Sequence, residues 1–267
     1  MIALLDPGPE DTILDVGCGD GPLTLAIASK LAPSGYIIGL DSSSKMIASA
    51  DAAGLQGRVH NAAFHRVDCR HMTQQTGRLK SELAPGRFNK VFSNAAMHWI
   101  LRAEETRISF FDDVFSILET GGSFVFEMGG RGNVSEVQAA LTAVLHHGYN
   151  ISSEAVQAAN PWFFPSDTWM RQALEEAGFD VDVCELVGRP TKLTEGDGKG
   201  TGLAGWVRLM CAQFLELVPE ADREGVVEKV VDSLKEVCID TGDGSQWLGY
   251  VRLRALARKP ARSDEAR

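Results

Sequence analysis

Apolar positions along the chain follow two periods that take turns. Ile13-Leu-Asp-Val16 is a short strand-like run, a glycine cluster follows, and Leu23, Leu25, Ala26, Ile27 and Leu31 then recur at helical spacing. This predicts a strand, a tight turn and a helix. The unit repeats as a strand from Tyr36 to Leu40 with a helix from Ser42 to Ala53, and as a strand from Phe64 to Val67. It returns as a strand from Phe88 to Ser93 with a helix from Glu104 to Leu118, after which Gly121-Gly122 is expected to end the helix and open a strand from Ser123 to Glu127. Strands alternating with helices predict an α/β fold, a doubly wound and mostly parallel sheet of seven strands.

Beyond Glu127 the rhythm changes. Residues 133 to 159 read as one helix on Val134, Val137, Leu141, Val144 and Leu145, ahead of the aromatic turn Pro161-Trp-Phe-Phe-Pro165. Ser166 to Ala177 is a helix with Ser166 as N-cap and Gly178 as its stop, followed by a strand from Asp180 to Val187. Thr194 to Gly202 is a loop by composition; helices of about 203 to 217 and 220 to 238 follow, then a last strand from Leu248 to Ala257 and a charged tail after Lys259. The expected organisation is a cofactor-binding core at 1–130, a helical insertion at 131–165, a core helix and strand at 166–190, a helical cap at 191–245, the final core strand at 246–260 and a tail at 261–267.

A glycine-rich turn between a first strand and its helix is the nucleotide corner of a doubly wound sheet, because ligands sit beyond the carboxyl ends of the strands. Here the loop is Asp15-Val-Gly-Cys-Gly-Asp-Gly21, with glycines at 17, 19 and 21 and proline at 22, so the Gly-x-Gly-x-x-Gly spacing of a dinucleotide site is not met. Asp15 and Asp20 flank it. Carboxylates there repel a pyrophosphate, whereas the methionine end of S-adenosylmethionine (SAM) carries a sulfonium and an ammonium. Asp41 ends the second strand, where a carboxylate accepts hydrogen bonds from both ribose hydroxyls, and Asp68 follows the third, within reach of the adenine amino group. Met46, one turn into the second helix, is placed to pack on the adenine face or in the core.

On these residues the chain resembles the class I SAM-dependent methyltransferases, whose fold is Rossmann-like. The motifs are Ile-Leu-Asp-Val-Gly-Cys-Gly-Asp-Gly at 13 to 21, Gly-Leu-Asp-Ser-Ser-Ser-Lys-Met at 39 to 46 and Val-Asp-Cys at 67 to 69. A narrower resemblance, over nearly the whole chain, is to the trans-aconitate methyltransferase-like group, through the segment Phe88 to Trp99, Gly-Gly-Arg-Gly-Asn at 129 to 133, Phe-Pro-Ser at 164 to 166 and Tyr-Val-Arg-Leu-Arg at 250 to 254. The resemblance implies cofactor contacts at Asp15, Gly17, Cys18, Gly19, Asp41, Ser42, Met46, Asp68, Cys69, Ser93 and Asn94. It also implies that Ser93, Asn94, His98 and Trp99 line the junction with the acceptor. Two departures stand out: the first strand begins close to Met1, where the family carries a lid, so the lid is expected to be truncated or to come from elsewhere; and Asn89 replaces an acidic residue usual at the start of the fourth strand.

Methyl transfer is an in-line displacement, so alignment in a dry pocket supplies much of the catalysis. A carboxylate acceptor, which the resemblance implies, needs a cationic clamp and no base; Arg131, Arg208, Arg252 and Arg254 are candidates, with His98. For a phenol, hydroxyl or amine acceptor, His98 is the candidate base. Trp99, Trp162, Phe163, Phe164 and Trp206 offer aromatic surface to an apolar acceptor, of the kind a secondary metabolite presents. Two other readings compete: a non-enzymatic SAM-binding or partner-activating subunit, and an NAD-dependent oxidoreductase resting on the shared fold alone.

Composition narrows the setting. With 44% hydrophobic and 23% charged residues the chain is globular, and a net charge of −10 gives no footprint for nucleic acid. The five cysteines are scattered without zinc-site pairing, so no metal is expected and the thiols are read as reduced. No 18-residue apolar run and no basic leader occur, so a cytoplasmic enzyme off the membrane with a small-molecule acceptor is expected, its oligomeric state left open.

Overall fold

The computed structural model describes residues 1–196 and 200–261. The chain divides into two compact units, one of residues 1–131, 163–186 and 253 onward, the other of 132–162 and 187–252.

The first unit holds the sheet. Its strands are β1 (Thr12–Val16), β2 (Tyr36–Asp41), β3 (Ala62–Arg66), β4 (Phe88–Asn94), β5 (Leu118–Gly129), β6 (Asp180–Gly188) and, last in sequence, β9 (Val251–Arg258). They lie in the order β3-β2-β1-β4-β5-β9-β6, and the pairs β1/β2, β1/β4, β2/β3 and β4/β5 are parallel. A chain that runs outward from β1 to β3 and then returns to place β4 on the other side of β1 creates a switch point there, where a crevice opens beyond the strand ends.

Alternation along the strands fills two apolar layers. Leu14, Val16, Ile38, Leu40, Val91, Phe124 and Phe126 enter one cluster, whereas Ile13, Ile37, Phe92 and Val125 enter another on the opposite face. Helices cover both. They run, in chain order, α1 (Ile2–Leu5), α2 (Pro22–Ala28), α3 (Ser44–Gln56), α4 (Gly77–Glu82), α5 (Met97–Ile100) and α6 (Glu104–Ile117). The α6 helix buries Phe110, Phe111, Val114 and Ile117 at helical spacing. In the second unit come α7 (Ser135–Ala143) and α8 (Ser153–Ala159), then α9 (Asp167–Glu176) back in the first. The second unit resumes with the antiparallel pair β7 (Thr191–Lys192) and β8 (Trp247–Leu248), and with α10 (Gly202–Met210), α11 (Ala212–Leu215) and α12 (Glu220–Cys238).

Four local expectations are corrected. The glycine pair Gly121-Gly122 does not separate helix from strand: β5 starts at Leu118, and the pair lies inside it where the β4/β5 register shifts between Phe88 and Lys90. Gly121 has φ +82°, and a Cβ on Gly122 would stand 2.9 Å from the carbonyl oxygens of Asn89 and Glu119, so this bulge needs both glycines. The single helix expected over 133–159 is broken by a π turn at Val144–Gly148 and by Asn150 in the left-handed region, φ +54°. Its apolar repeat gave no warning, because Val144 and Leu145 keep the helical spacing into the π turn itself. Likewise the helix of 203 to 217 breaks at Cys211. Trp247–Leu248 pairs with Thr191–Lys192 rather than extending the final strand, which starts at Val251. Of the expected tail at 261–267, residues 262–267 lie outside the described residues, as do 197–199 of the polar loop.

Asn89, the departure noted in the fourth strand, sits at its amino end. Its Oδ1 accepts the Thr12 N–H at 2.6 Å and its Nδ2 donates to Glu119 at 2.6 Å, so it ties the starts of β1 and β5 together. Lys90 beside it pairs with Asp11 at 3.1 Å. Phe124 marks the centre of the larger apolar layer, with ring centroids of Phe126, Phe179 and Phe110 at 4.7, 6.2 and 6.5 Å. Phe124→Ala is expected to destabilise the chain by about 3 to 5 kcal/mol in urea unfolding, the range for a truncated buried aromatic.

Candidate active site

A cavity of about 700 Å³ opens at the switch point, lined wholly by residues of the first unit. That volume is in the range of small-ligand sites. Asp15, Asp41 and Asn94 stand in the last two positions of β1, β2 and β4, and Asp68 follows β3, so four adjacent strands each send a polar side chain to the same place.

The glycine loop forms the floor. Gly17, Gly19 and Gly21 have φ of +76°, +57° and +85°, and the Gly17 and Cys18 N–H groups both donate to the Leu40 carbonyl at 2.8 and 2.9 Å. A Cβ on Gly17 would collide with the Ala96 methyl, so glycine there lets the turn after β4 close on the loop. Ala95, in that turn, holds φ +57° while its N–H donates to the Glu127 carbonyl at 2.7 Å. Tertiary contacts thus hold a non-glycine residue in a strained conformation beside the cavity.

The carboxylates differ in their surroundings. Asp41 accepts the Gly19 N–H on Oδ2 at 3.1 Å and the Ser43 N–H on Oδ1 at 2.8 Å, leaving lone pairs on both oxygens. Asp68 caps the 3-10 turn of Cys69–Gln74 and is gripped by Arg70, whose Nε and Nη2 reach it at 3.0 and 2.6 Å; the guanidinium holds this carboxyl below its usual range. Asp15 is 2% exposed and accepts the Thr24 hydroxyl at 2.6 Å. Burial pushes its pKa up to about 7, with Asp41 adding to the rise and Thr24 opposing it. Burial also pushes the Cys18 thiol up and the Cys69 thiol to about 12, which leaves both protonated at neutral pH.

The chain matches the methyltransferase domain family over residues 8–147, and it is 33% identical to an uncharacterized methyltransferase of Schizosaccharomyces pombe across 97% of its own length and 90% of that relative. It belongs to the methyltransferase domain family. Solved structures share the fold: the YcgJ protein of Bacillus subtilis superposes with a TM-score of 0.62 at 13% identity, covering 97% of this chain and 96% of that one. Haemonchus contortus phosphoethanolamine N-methyltransferase 2, solved in complex with S-adenosyl-L-methionine, gives a TM-score of 0.53 at 15% identity over 96% of this chain and 50% of that one.

The protein is therefore an enzyme, a SAM-dependent methyltransferase with a Rossmann-like sheet, and SAM is its methyl donor. The cavity fits that donor. Its polar lining is dominated by carboxylates, the buried one has no cation among its neighbours in the lining, and Leu23, Met46, Trp99 and Ile100 add apolar walls.

Of the positions expected to contact the cofactor, Asp15, Gly17, Cys18, Gly19, Asp41, Ser42, Met46, Asp68, Cys69 and Asn94 line the cavity; Met46 is 43% exposed rather than packed in the core. Ser93 does not. Strand alternation turns it away from Asn94, and its Oγ donates to the Val16 carbonyl at 2.7 Å, stitching β4 to β1. Among the acceptor candidates Trp99 lines the cavity at 39% exposure, but His98, its neighbour on α5, is buried and does not. The His98 ring is 6% exposed between Trp99 and Phe164, and its Nδ1 accepts the Gly129 N–H at 3.4 Å. Arg131 is exposed, its backbone N–H donating to the Pro165 carbonyl at 2.7 Å.

Trp162, Trp206, Arg208 and Arg252 belong to the second unit. There Trp162 packs on Trp206, ring centroids 6.2 Å apart, and Trp206 donates to the Tyr250 hydroxyl at 2.7 Å. Arg208 is ion-paired with Glu224, and the Arg252 guanidinium lies 4.6 Å from the Tyr250 ring centroid. In the first unit Arg254 pairs with the buried Glu127 at 2.6 Å. Each arginine named in this pair of contacts with a carboxylate has an internal partner, a role that sequence could not separate from a ligand clamp. Lining residues missed by the sequence reading include Ser43, Arg70, Ala95 and Ile100. Ser43 was legible as the N-cap before Met46; the strained Ala95 left no mark in sequence.

Ionising Asp15 in the folded chain works against burial. Its folded pKa is raised above the unfolded value, so the folded state binds the extra proton and loses stability as pH rises from about 4 to about 7. Asp15→Asn is expected to be more stable than the native chain at pH 8, by roughly 3 to 5 kcal/mol, with the difference shrinking toward pH 4, in urea titrations at both pH values.

Proposed function

We propose that this methyltransferase methylates a carboxylate oxygen of a small-molecule acceptor, as its resemblance to the trans-aconitate methyltransferase-like group implies. One observation carries the reading: the flank formed by the end of β4 and α5 contributes Asn94, Ala95, Trp99 and Ile100 to the cavity, and none of them can take a proton at neutral pH. An acceptor that arrives already ionised suits such a wall. A phenol would need a base to become a phenolate, and an ammonium would need one to free its lone pair.

In this reading Asp41 receives the ribose hydroxyls, Asp68 the adenine amino group, and Met46 covers the adenine face beside Ser42 and Cys69. The loop from Gly17 to Gly19 lets the backbone approach the methionine portion, with Asp15 offering a carboxylate to its cationic end and Asn94 a neutral amide nearby. Bound there, SAM supplies a methyl group on a positively charged sulfur. The chain's contribution is alignment and exclusion of water, an effect worth up to about 7 to 11 kcal/mol.

Asp41→Ala is expected to weaken SAM binding by about 1 to 3 kcal/mol in calorimetry, the range for hydrogen bonds to a charged group, and an unchanged affinity would place the ribose elsewhere. Incubation with methyl-labelled SAM and a panel of small carboxylates, phenols and amines tests the acceptor. The expected product is an ester that releases labelled methanol in alkali; alkali-stable label on a phenol or amine would sink the carboxylate assignment.

A further inference from the structure

Thr24 reads in sequence as an ordinary position of an amphipathic segment. In the structure it is 0% exposed in the first turn of α2, and its hydroxyl donates to Asp15 Oδ2 at 2.6 Å. This is the one hydrogen bond that the Asp15 carboxylate makes among the described residues. A terminal carboxylate rotates over a broad, two-fold torsion, and a single buried donor fixes which oxygen is occupied and which is turned outward. We infer that Thr24 is the positioning residue for Asp15, its hydroxyl holding Oδ2 so that Oδ1 meets the cationic methionine end of the methyl donor. The inference rests on the assignment of Asp15 to that end of the cavity.

The electrostatics of the surroundings give the hydroxyl a second effect. Cys18 and Asp20 of the glycine loop, Asp41 of β2, and Asp68, Cys69 and Arg70 after β3 face the same cavity, and Arg70 is already engaged by Asp68. The α2 helix brings no charge. Thr24 is thus the neighbour that favours the ionised form of Asp15 against burial and against Asp41. Removing its hydroxyl should both loosen the carboxylate and shift the pH at which it ionises.

Calorimetric titration of SAM into the full chain between about pH 5.5 and 8.5 separates these roles. The native affinity should rise with pH and level off above about pH 7, where Asp15 is ionised before the cation arrives. Thr24→Val should bind about tenfold more weakly at pH 7 and level off about one pH unit higher, and Thr24→Ser should restore both. In Asp15→Asn, weakened and without the pH step, adding Thr24→Val should change nothing further. Native affinity and pH profile in Thr24→Val, no rescue by serine, or an equal loss in the Asp15→Asn background would each overturn the positioning role. Native affinity in Asp15→Asn itself would instead remove the assignment of Asp15 on which it rests. Should Thr24→Val unfold, the double variant, which carries no charge at position 15, is compared with Asp15→Asn and decides the point.

Discussion

The Asp15 carboxylate is the constraint around which the cavity is organised. It stands one residue before the end of an apolar strand, is 2% exposed, and has one hydroxyl as its hydrogen-bond donor among the described residues. Burying a carboxylate with so little compensation is costly unless the group is protonated or a cation is supplied. The native fold keeps that tension, with Asp41 close enough to raise the pKa further. In the proposed function a ligand bearing positive charge relieves it, and stability of the free chain is then opposed to affinity for that ligand through a single side chain.

Everything that places this carboxylate follows from close approach at the switch point. The Leu40 carbonyl accepts two N–H groups of the glycine loop, Gly17 leaves room for the Ala96 methyl, and Ala95 takes a left-handed conformation to turn the chain. At the far end of the same strands Asn89 and Lys90 bind β1 and its approach. Between them lie the two apolar layers. The sheet therefore acts as a rigid frame whose amino ends are tied by polar side chains and whose carboxyl ends are left to a ligand.

The contrast among the three carboxylates at the strand ends has a chemical meaning. Asp41 is held by backbone donors, Asp68 by a guanidinium and Asp15 by a hydroxyl, so the cavity presents graded environments for one anionic group type. Toward α5 the lining becomes neutral and apolar. Such a division suits a reaction in which the donor is charged and the protein's work is alignment.

Much of the frame was written in local pattern. Apolar runs, helical repeats, the Ser166 cap and the glycine stop at 178 depend on near neighbours, and they gave the seven strands of the main sheet, most helices and the acidic residues at strand ends. The resemblance carried by the loop and by Asp41 and Asp68 named the cofactor. Long-range packing settled the rest. Whether Arg208 and Arg254 serve a ligand or an internal carboxylate depends on Glu224 and Glu127, which are remote in sequence. Strand alternation removed Ser93, and burial against Phe164 removed His98, from the cavity wall, which kept Asn94 and Trp99. Thr24 acquired its partner from nine residues away. A sequence fixes which groups are present and the local period they follow; the distance between groups on different elements, and with it charge state and partner, exists once the elements have packed.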